Sequence, residues 1–482
     1  MSRRNRLAVA ARAAAFAAAA CAFAGARAGS ADPGERLSTL ADQERLNVTI
    51  YNGSLALVHD RRRVALEAGD NRIAWRDVSG QLDGTSAILE DLTAPGGVSV
   101  SEQNFDFDLL DAKSLLAKYV GRRVTVVHDK PVAGRPASET ATVLADNDGV
   151  VLQYADRIET GLVDSHIAFP ALPPDLRDRP TLVLDIASEK AGTPDLDLSY
   201  ITGGLGWHAD YVGVVSPDET HMDLSGLVTL TNETGTTFRD AHVQLVAGNV
   251  NVPQPAMDVD SLRSIAAVRA RSVSQENYFE YHLYTLERPT TIANAQTKQV
   301  ALLAARAVPV RKTLEVRGQS AYYENPSGDL GTKLPVGVYL TFTNRGGDLG
   351  LPLPAGTVRL YENDSRGTSQ FLGADRIDHT PRNQDVRLHL GDSFDVTAAK
   401  KQTDFRHDDT CTVEGAYSVA VSNAKDAAQA VDVIEPIPGE WTVLAESAPH
   451  RKTSSSTATW TLNVPANGTT TLTYRVSVKT CS

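Results

Sequence analysis

Apolar and polar residues alternate with a period of two through most of the chain, and this constrains the fold more than any other feature. Asn47-Val48-Thr49-Ile50-Tyr51, Arg123-Val124-Thr125-Val126-Val127 and the series Leu472, Tyr474, Val476, Val478 show it. Successive side chains on a strand point to opposite faces, so this period marks strands with one buried face. Gly, Pro, Asn and Asp pairs interrupt the runs at short intervals, as turns between short strands require. The pattern predicts a mainly β, multi-domain chain of immunoglobulin-like β-sandwiches, with an N-terminal β domain and few short helices.

One unit recurs three times. Val228-Thr229-Leu230-Thr231-Asn232, Val338-Tyr339-Leu340-Thr341-Phe342-Thr343-Asn344 and Tyr417-Ser418-Val419-Ala420-Val421-Ser422-Asn423 are alternating strands ending in Ser/Thr-Asn. Each is followed by a polar turn and a second alternating strand. Asn tolerates left-handed backbone and bonds its own backbone, so it is expected at the corner. The clearest helical signal is Asp108 to Val120, with Asp108 as cap, Leu109, Ala112, Leu116 and Tyr119 on one face, and Gly121 as stop. After Gly121 the short strands through Ile167 suit a small barrel or an added sheet.

Pro170, Pro173, Pro174 and Pro180 form a bent connection. Pro253 and Pro255 break the middle of the chain, since neither fits a central strand. Asp258 to Asn277 is polar, with a weak helical hint. The expected organisation is a leader at 1–28, an N-terminal β domain at 29–196 with a small-barrel insertion, a middle β domain at 197–320 and a C-terminal β-sandwich at 321–482.

The N-terminus predicts export. Arg3, Arg4 and Arg6 precede an Ala-rich apolar run from about Leu7 to Ala24, and Ala26-Arg27-Ala28 supplies the small-x-small cleavage pattern. Ser2-Arg3-Arg4 leaves the Sec and twin-arginine routes both open. Cys21 raises lipidation, but Ala18 rather than Leu stands three residues before it. No later segment has the roughly 18 consecutive apolar residues of a membrane helix. The expected location is therefore periplasmic or secreted. The first 28 residues hold five Arg and no acid, so removing them leaves 42 basic and 59 acidic residues, a net charge of −17. That balance argues against binding nucleic acid through its phosphates. Cys411 and Cys481 are the two cysteines beyond the leader, and in an oxidising compartment they read as one disulfide.

The most tempting chemistry is Gly391-Asp392-Ser393 after the strand Val386-Arg387-Leu388-His389-Leu390. Hydrolases of the Gly-Asp-Ser type begin with such a turn, and their partner motif Asp-x-x-His has its letters in Asp404-Phe405-Arg406-His407. Those enzymes place the motifs on an α/β domain, and this chain is strand-rich around both, so Ser393 reads as part of a polar hairpin. Asp106, Asp108 and Asp111 miss the calcium-loop spacing because Leu110 takes the third ligand position. They read as helix caps. Asp146, Asn147, Asp148 and Gly149 read as a hairpin turn. His407-Asp408-Asp409 reads as a solvated loop, without a second His to complete a metal site. Tyr278, Phe279, Tyr281, His282 and Tyr284 are the densest aromatic cluster, and they read as cross-strand packing or as a sugar-stacking platform. No catalytic residue, metal ligand or cofactor is assigned.

Several stretches resemble a bacterial family, domain of unknown function 4139. They are Leu198-Ser199-Tyr200-Ile201-Thr202-Gly203-Gly204-Leu205-Gly206-Trp207 with Ala209-Asp210-Tyr211, Gly226 to Asn232 with Leu245 to Gly248, Glu280 to Tyr284, Leu353-Pro354-Ala355-Gly356 and Phe371-Leu372-Gly373. The match runs from about Leu198 to the C-terminus. The family includes proteins similar to the so-called mucoidy inhibitor, and this chain lacks the long coiled coil of those members. The resemblance implies an exported β-rich protein with no established activity. Together these features predict a non-enzymatic envelope protein that binds or supports through sheet surfaces, its partner an envelope protein or a glycan. The rivals are an exported hydrolase using Ser393 and a glycan-binding module.

Overall fold

The computed structural model describes residues 34–106, 108–129, 137–173, 176–248, 274–278, 281–346 and 348–479. The leader with Cys21 and Ala28, Pro174, the break at Pro253 and Pro255, the helical hint after Asp258, Phe279 and Cys481 lie outside the described residues. The fold is mainly β and built of several sheets. By its contacts the chain divides into two compact units, Met1–Val48 with Leu57–Gly203 and Glu233–Ala241, and Thr49–Ala56 with Gly204–Asn232 and His242–Ser482.

In the first unit one sheet runs in the order Glu35–Ser38, Gly69–Arg76, Thr181–Ser188, Val98–Asp106. Its first pair is parallel and the others antiparallel. A separate five-stranded sheet orders Ile158–Thr160, Val151–Gln153, Ser138–Ala145, Arg123–His128 and Ser165–Ala168 around its own small core of Tyr119, Val124, Val126, Val143 and Leu152. The helix beside it is shorter than the spacing predicts. It spans Ala112–Lys118, and Asp111, not Asp108, caps it by accepting the Ser114 N–H at 2.8 Å. The reason is local: Leu110 N–H donates to Arg177 O, and Arg177 N–H donates to Asp108 O, so these residues are held as extended backbone.

The second unit contains a five-stranded sheet in the order Gln296–Pro309, His221–Asn232, Leu205–Val215, Gly356–Asn363, Ser369–Ile377. Its Leu205–Val215 and Gly356–Asn363 strands are parallel neighbours. Beyond it two sheets share one core. One orders Asp385–Asp392, Gly337–Thr343, Arg311–Arg317, Gln429–Pro436, Thr457–Val464 and Arg451–Ser454, and the other Asp329–Leu334, Val396–His407, Thr412–Asn423, Gly468–Lys479 and Glu440–Glu446. Val431, Val433, Trp460 and Leu462 of the first meet Tyr417, Val419, Leu472 and Tyr474 of the second. Alternation places every second residue inward, which is why these sequences read as strands.

The recurring asparagines do bond backbone at the corner, Asn423 Oδ1 accepting the Lys425 N–H at 3.0 Å and Asn344 Oδ1 the Gly350 N–H at 3.1 Å, but not through the left-handed conformation. None has left-handed backbone. Asn232, Asn344 and Asn423 are buried. Asn423 Nδ2 donates to the carbonyls of Ala427, Val464 and Pro465, and Asn344 Nδ2 to those of Leu351, Thr380 and Pro381. Asn232 Nδ2 donates to Ile292 O at 3.0 Å. Each Asn therefore ties its strand end to the backbone carbonyls of neighbouring segments, a buried acceptor being expensive to leave unpaired.

Candidate functional site

Trp207, Tyr211 and Tyr284 are buried in the second unit. Tyr211 Oη donates to Pro354 O at 2.9 Å and Tyr284 Oη to Pro352 O at 2.8 Å. Burial pushes both phenols up from their ordinary range. Ala209 stands opposite Gly356 in the parallel pair, and a Cβ on Gly356 would lie 2.2 Å from Ala209 O. A Cβ on Gly226 would press on Leu303 and on the Tyr211 ring. The Trp-x-Ala-Asp-Tyr and Leu-Pro-Ala-Gly stretches are thus one packing device, with two tyrosine hydroxyls holding the Pro352–Pro354 backbone against the sheet. The sequence profile of a domain of unknown function, DUF4139, matches residues 196–481, more than half the chain. The chain belongs to the DUF4139 family. No curated protein matches it.

In this DUF4139 chain Ser393 lies between the Asp385–Asp392 and Val396–His407 strands. Its hydroxyl accepts the Val396 N–H at 3.1 Å and its own N–H donates to Val336 O at 2.8 Å. It closes a turn. His407 stands at the far end of a twelve-residue strand, which at ~3.3 Å per residue is more than about 30 Å away. A base must stand within hydrogen-bond reach of its nucleophile. Asp404 is not turned to His407 either, because its Oδ2 accepts from Arg475 Nη2 at 2.8 Å. The Gly-Asp-Ser and Asp-x-x-His letters are not brought together.

The other sequence candidates are each engaged in local structure. Asp106 accepts from Arg177 Nε, Asp108 pairs with Lys118, and Asp409 accepts the N–H groups of Cys411 and Thr412. Gly149 has φ +121° in its turn. Of the aromatic cluster, Tyr284 is in the core, so it offers no face to a sugar. Phe279 lies outside the described residues. Burial, then Arg382, pushes the His282 imidazole below its ordinary value.

Two surfaces of the second unit stand out instead. The first is a cleft of about 260 Å³ beside Ser393, floored by Val215, Val338, Leu340 and Leu390 and edged by Glu362, Asp392, Asp395 and Lys425. Lys312 and Glu219 close one side as an ion pair at 2.5 Å, and Phe394 stands 94% exposed at the rim. No histidine among the described residues lines it. The second is a polar network on the solvent face of the five-stranded sheet. Asp210, only 8% exposed, accepts from Thr229 Oγ1 at 2.8 Å and Arg359 Nη1 at 2.9 Å, with His208 Nε2 3.2 Å away. Gln299 Nε2 donates to Thr229 Oγ1 at 3.2 Å. Burial pushes the Asp210 carboxyl up, but its hydrogen bonds to Arg359 and Thr229 and the nearby His208 outweigh that and hold it below the usual carboxylate range. His208 and Asp210 are two apart on one strand, a signal visible in sequence. Thr229, Gln299 and Arg359 come from three other strands and gave no local signal.

Proposed function

We propose that this DUF4139 protein is exported, with its leader removed near Ala28, and serves the bacterial envelope without catalysis, binding or supporting through its sheet surfaces. One observation carries the non-enzymatic part: the Ser393 hydroxyl is spent on a turn and its nominal base stands at the other end of a long strand. No helix among the described residues is long and apolar enough to cross a membrane. Ser393→Ala tests the reading against panels of ester, peptide and glycoside substrates. Any turnover by the wild type should persist in the variant, and loss of turnover with unchanged melting would establish the hydrolase instead. Mass spectrometry of exported protein should find a new N-terminus near Ala28, and an intact Met1 would overturn the export assignment.

The same reading pairs Cys411 with Cys481. Thr412, the residue after Cys411, opposes Lys479, two residues before Cys481 in the sequence, in the antiparallel ladder. Closing a loop of this length stabilises by roughly 4 kcal/mol in the chain-entropy account. Thiol counting on exported protein should find neither cysteine reactive, and two free thiols would refute the pairing.

A further inference from the structure

The solvent face of the five-stranded sheet carries hydrogen-bonding groups at the level of His208 and an aromatic pair six residues, ~20 Å, farther along the strands. Alternation places His208 and Asp210 on one face of their strand, and the register carries that face across to Thr229 and Gln299 on one side and Arg359 on the other. Tyr361 lies two residues after Arg359, on the same face, about 7 Å along the strand. It pairs across the ladder with Phe371, and the two rings meet edge to face at 5.5 Å. Phe371 is 59% exposed and His208 and Arg359 are 60% and 43% exposed at the side chain.

We propose that this face is a binding site for an oligosaccharide, in which one pyranose ring lies against Phe371 and Tyr361 while Arg359 and, farther along the face, His208 and Gln299 hydrogen-bond the hydroxyls of the sugars that follow. The inference deepens the non-enzymatic binding function and rests on it. A pyranose has an apolar C–H face and a rim of hydroxyls, so it is recognised by an aromatic surface beside fixed polar groups. Both are present here, the aromatic pair toward one end of the face and the polar groups toward the other, a reach that fits an oligosaccharide rather than one ring. Asp210 does not meet the ligand. It positions two groups that do, accepting from Nη1 of Arg359 with Nε2 of His208 3.2 Å away, while both side chains stay exposed. Groups already held in place lose little freedom when a ligand binds, and that favours a surface site on an open sheet. The charges of Asp210 and Arg359 cancel, which suits an uncharged polar chain.

The test is calorimetric titration of the full exported protein with cellohexaose and with chitohexaose, repeated for Phe371→Ala, Arg359→Ala and, as a control on another exposed apolar side chain, Ile158→Ala. At least one sugar should bind in the micromolar to millimolar range. Phe371→Ala and Arg359→Ala should each weaken binding about tenfold, equivalent to about 1.4 kcal/mol, without moving the melting temperature, while Ile158→Ala leaves binding intact. No heat from either sugar, or binding that both variants retain, overturns the site. Cleavage of a sugar that needs Phe371 would support the site while overturning the non-enzymatic reading.

Discussion

Each unit buries an ion pair, and the two pairs are built differently. In the first unit Arg62 is fully buried and each of its donor groups is placed: Nε and Nη2 on Asp60, Nη1 on Ser38 O and Nη2 also on Arg76 O. Asp60 further accepts from Trp75 Nε1 at 2.9 Å and Gln43 Nε2 at 2.7 Å. In the second unit Lys400 meets Glu435 at 2.6 Å with both side chains 1% exposed. Glu435 Oε2 also accepts from Tyr323 Oη at 2.9 Å, but Oε1 has no hydrogen-bond partner. Around the ammonium stand the rings of Tyr322, Tyr323, Tyr417 and Tyr474 at 4.6 to 5.8 Å. The guanidinium fork joins three chain segments, whereas the ammonium relies on one carboxylate and on ring quadrupoles. The first pair is therefore a connector, and the second is a charge that the core tolerates.

Removing both charges separates these roles most sharply. Asp60→Leu with Arg62→Leu strips the partners of Trp75 Nε1, Ser38 O and Arg76 O. Each buried group left unpaired costs about 1–3 kcal/mol, so the double variant should lose on the order of 5 kcal/mol. Urea unfolding followed by tryptophan fluorescence checks this, and a loss below that of a single exposed substitution would show that Arg62 connects nothing.

Breaking only the second pair comes next. Glu435→Ala leaves Lys400 buried without a carboxylate, a change worth about 3–5 kcal/mol. A smaller loss would mean that the four tyrosine rings stabilise the ammonium by themselves, and Glu435→Gln, which keeps the volume, separates that from a cavity effect.

The tyrosines around Lys400 give the second unit a response to alkali. Burial pushes the Tyr417 phenol up to about 12. Burial first, and then Glu435, also raise Tyr323 and Tyr474. A raised folded value means that the folded state holds its proton where the unfolded state releases it, so stability is intact below pH 10 and falls as pH climbs toward 12, at about 1.4 kcal/mol per pH unit for one group. Lys400 runs the other way, because burial, partly opposed by Glu435, lowers it and stability gains as pH approaches its ordinary value. Three phenols against one ammonium predict net loss. Urea midpoints should drop between pH 10 and 12, and Tyr417→Phe should reduce the drop.

Much of this was legible in sequence and some was not, for a physical reason. Period-two alternation records which face of a strand is buried, so the β class, the sheets and the family stretches could be read directly. The recurring Asn could be seen, but not that its amide points inward to loop carbonyls, since that depends on where Val464 and Pro381 return. Lys400 and Glu435 look like any polar positions on alternating strands. Their partnership depends on which strands of the two packed sheets face one another, and no local pattern encodes that. The Asp210 network fails for the same reason: His208 and Asp210 sit two apart, but Arg359 joins them only through a parallel pairing far along the chain. At Ser393 the adjacent letters spell a catalytic motif, the strand-rich sequence around them argues for a polar hairpin instead, and one long strand holds Ser393 and His407 apart.

The smallest effect is expected where intuition suggests a large one. Lys400→Met with Glu435→Leu removes a buried ion pair from the centre of the sandwich, yet the double variant should match the wild type within about 1 kcal/mol or exceed it. Bringing two charges out of water carries a penalty of several kcal/mol per ion, which their attraction only just offsets, and apolar replacements of similar volume are often neutral or stabilising. This pair has an added weakness, since one buried Glu435 oxygen is unpaired and leaves with the substitution. Against it, Tyr323 Oη loses its acceptor but keeps Tyr474 Oη at 2.8 Å. Gly318 limits the choice of replacement, because Glu435 packs directly on its backbone and a branched side chain there must turn toward the tyrosines. The double variant and the two single variants form a mutant cycle, and the coupling energy it yields measures the pair directly. A double variant as damaged as Glu435→Ala would show that the charges hold the tyrosine rings in register, making the second pair a connector like the first.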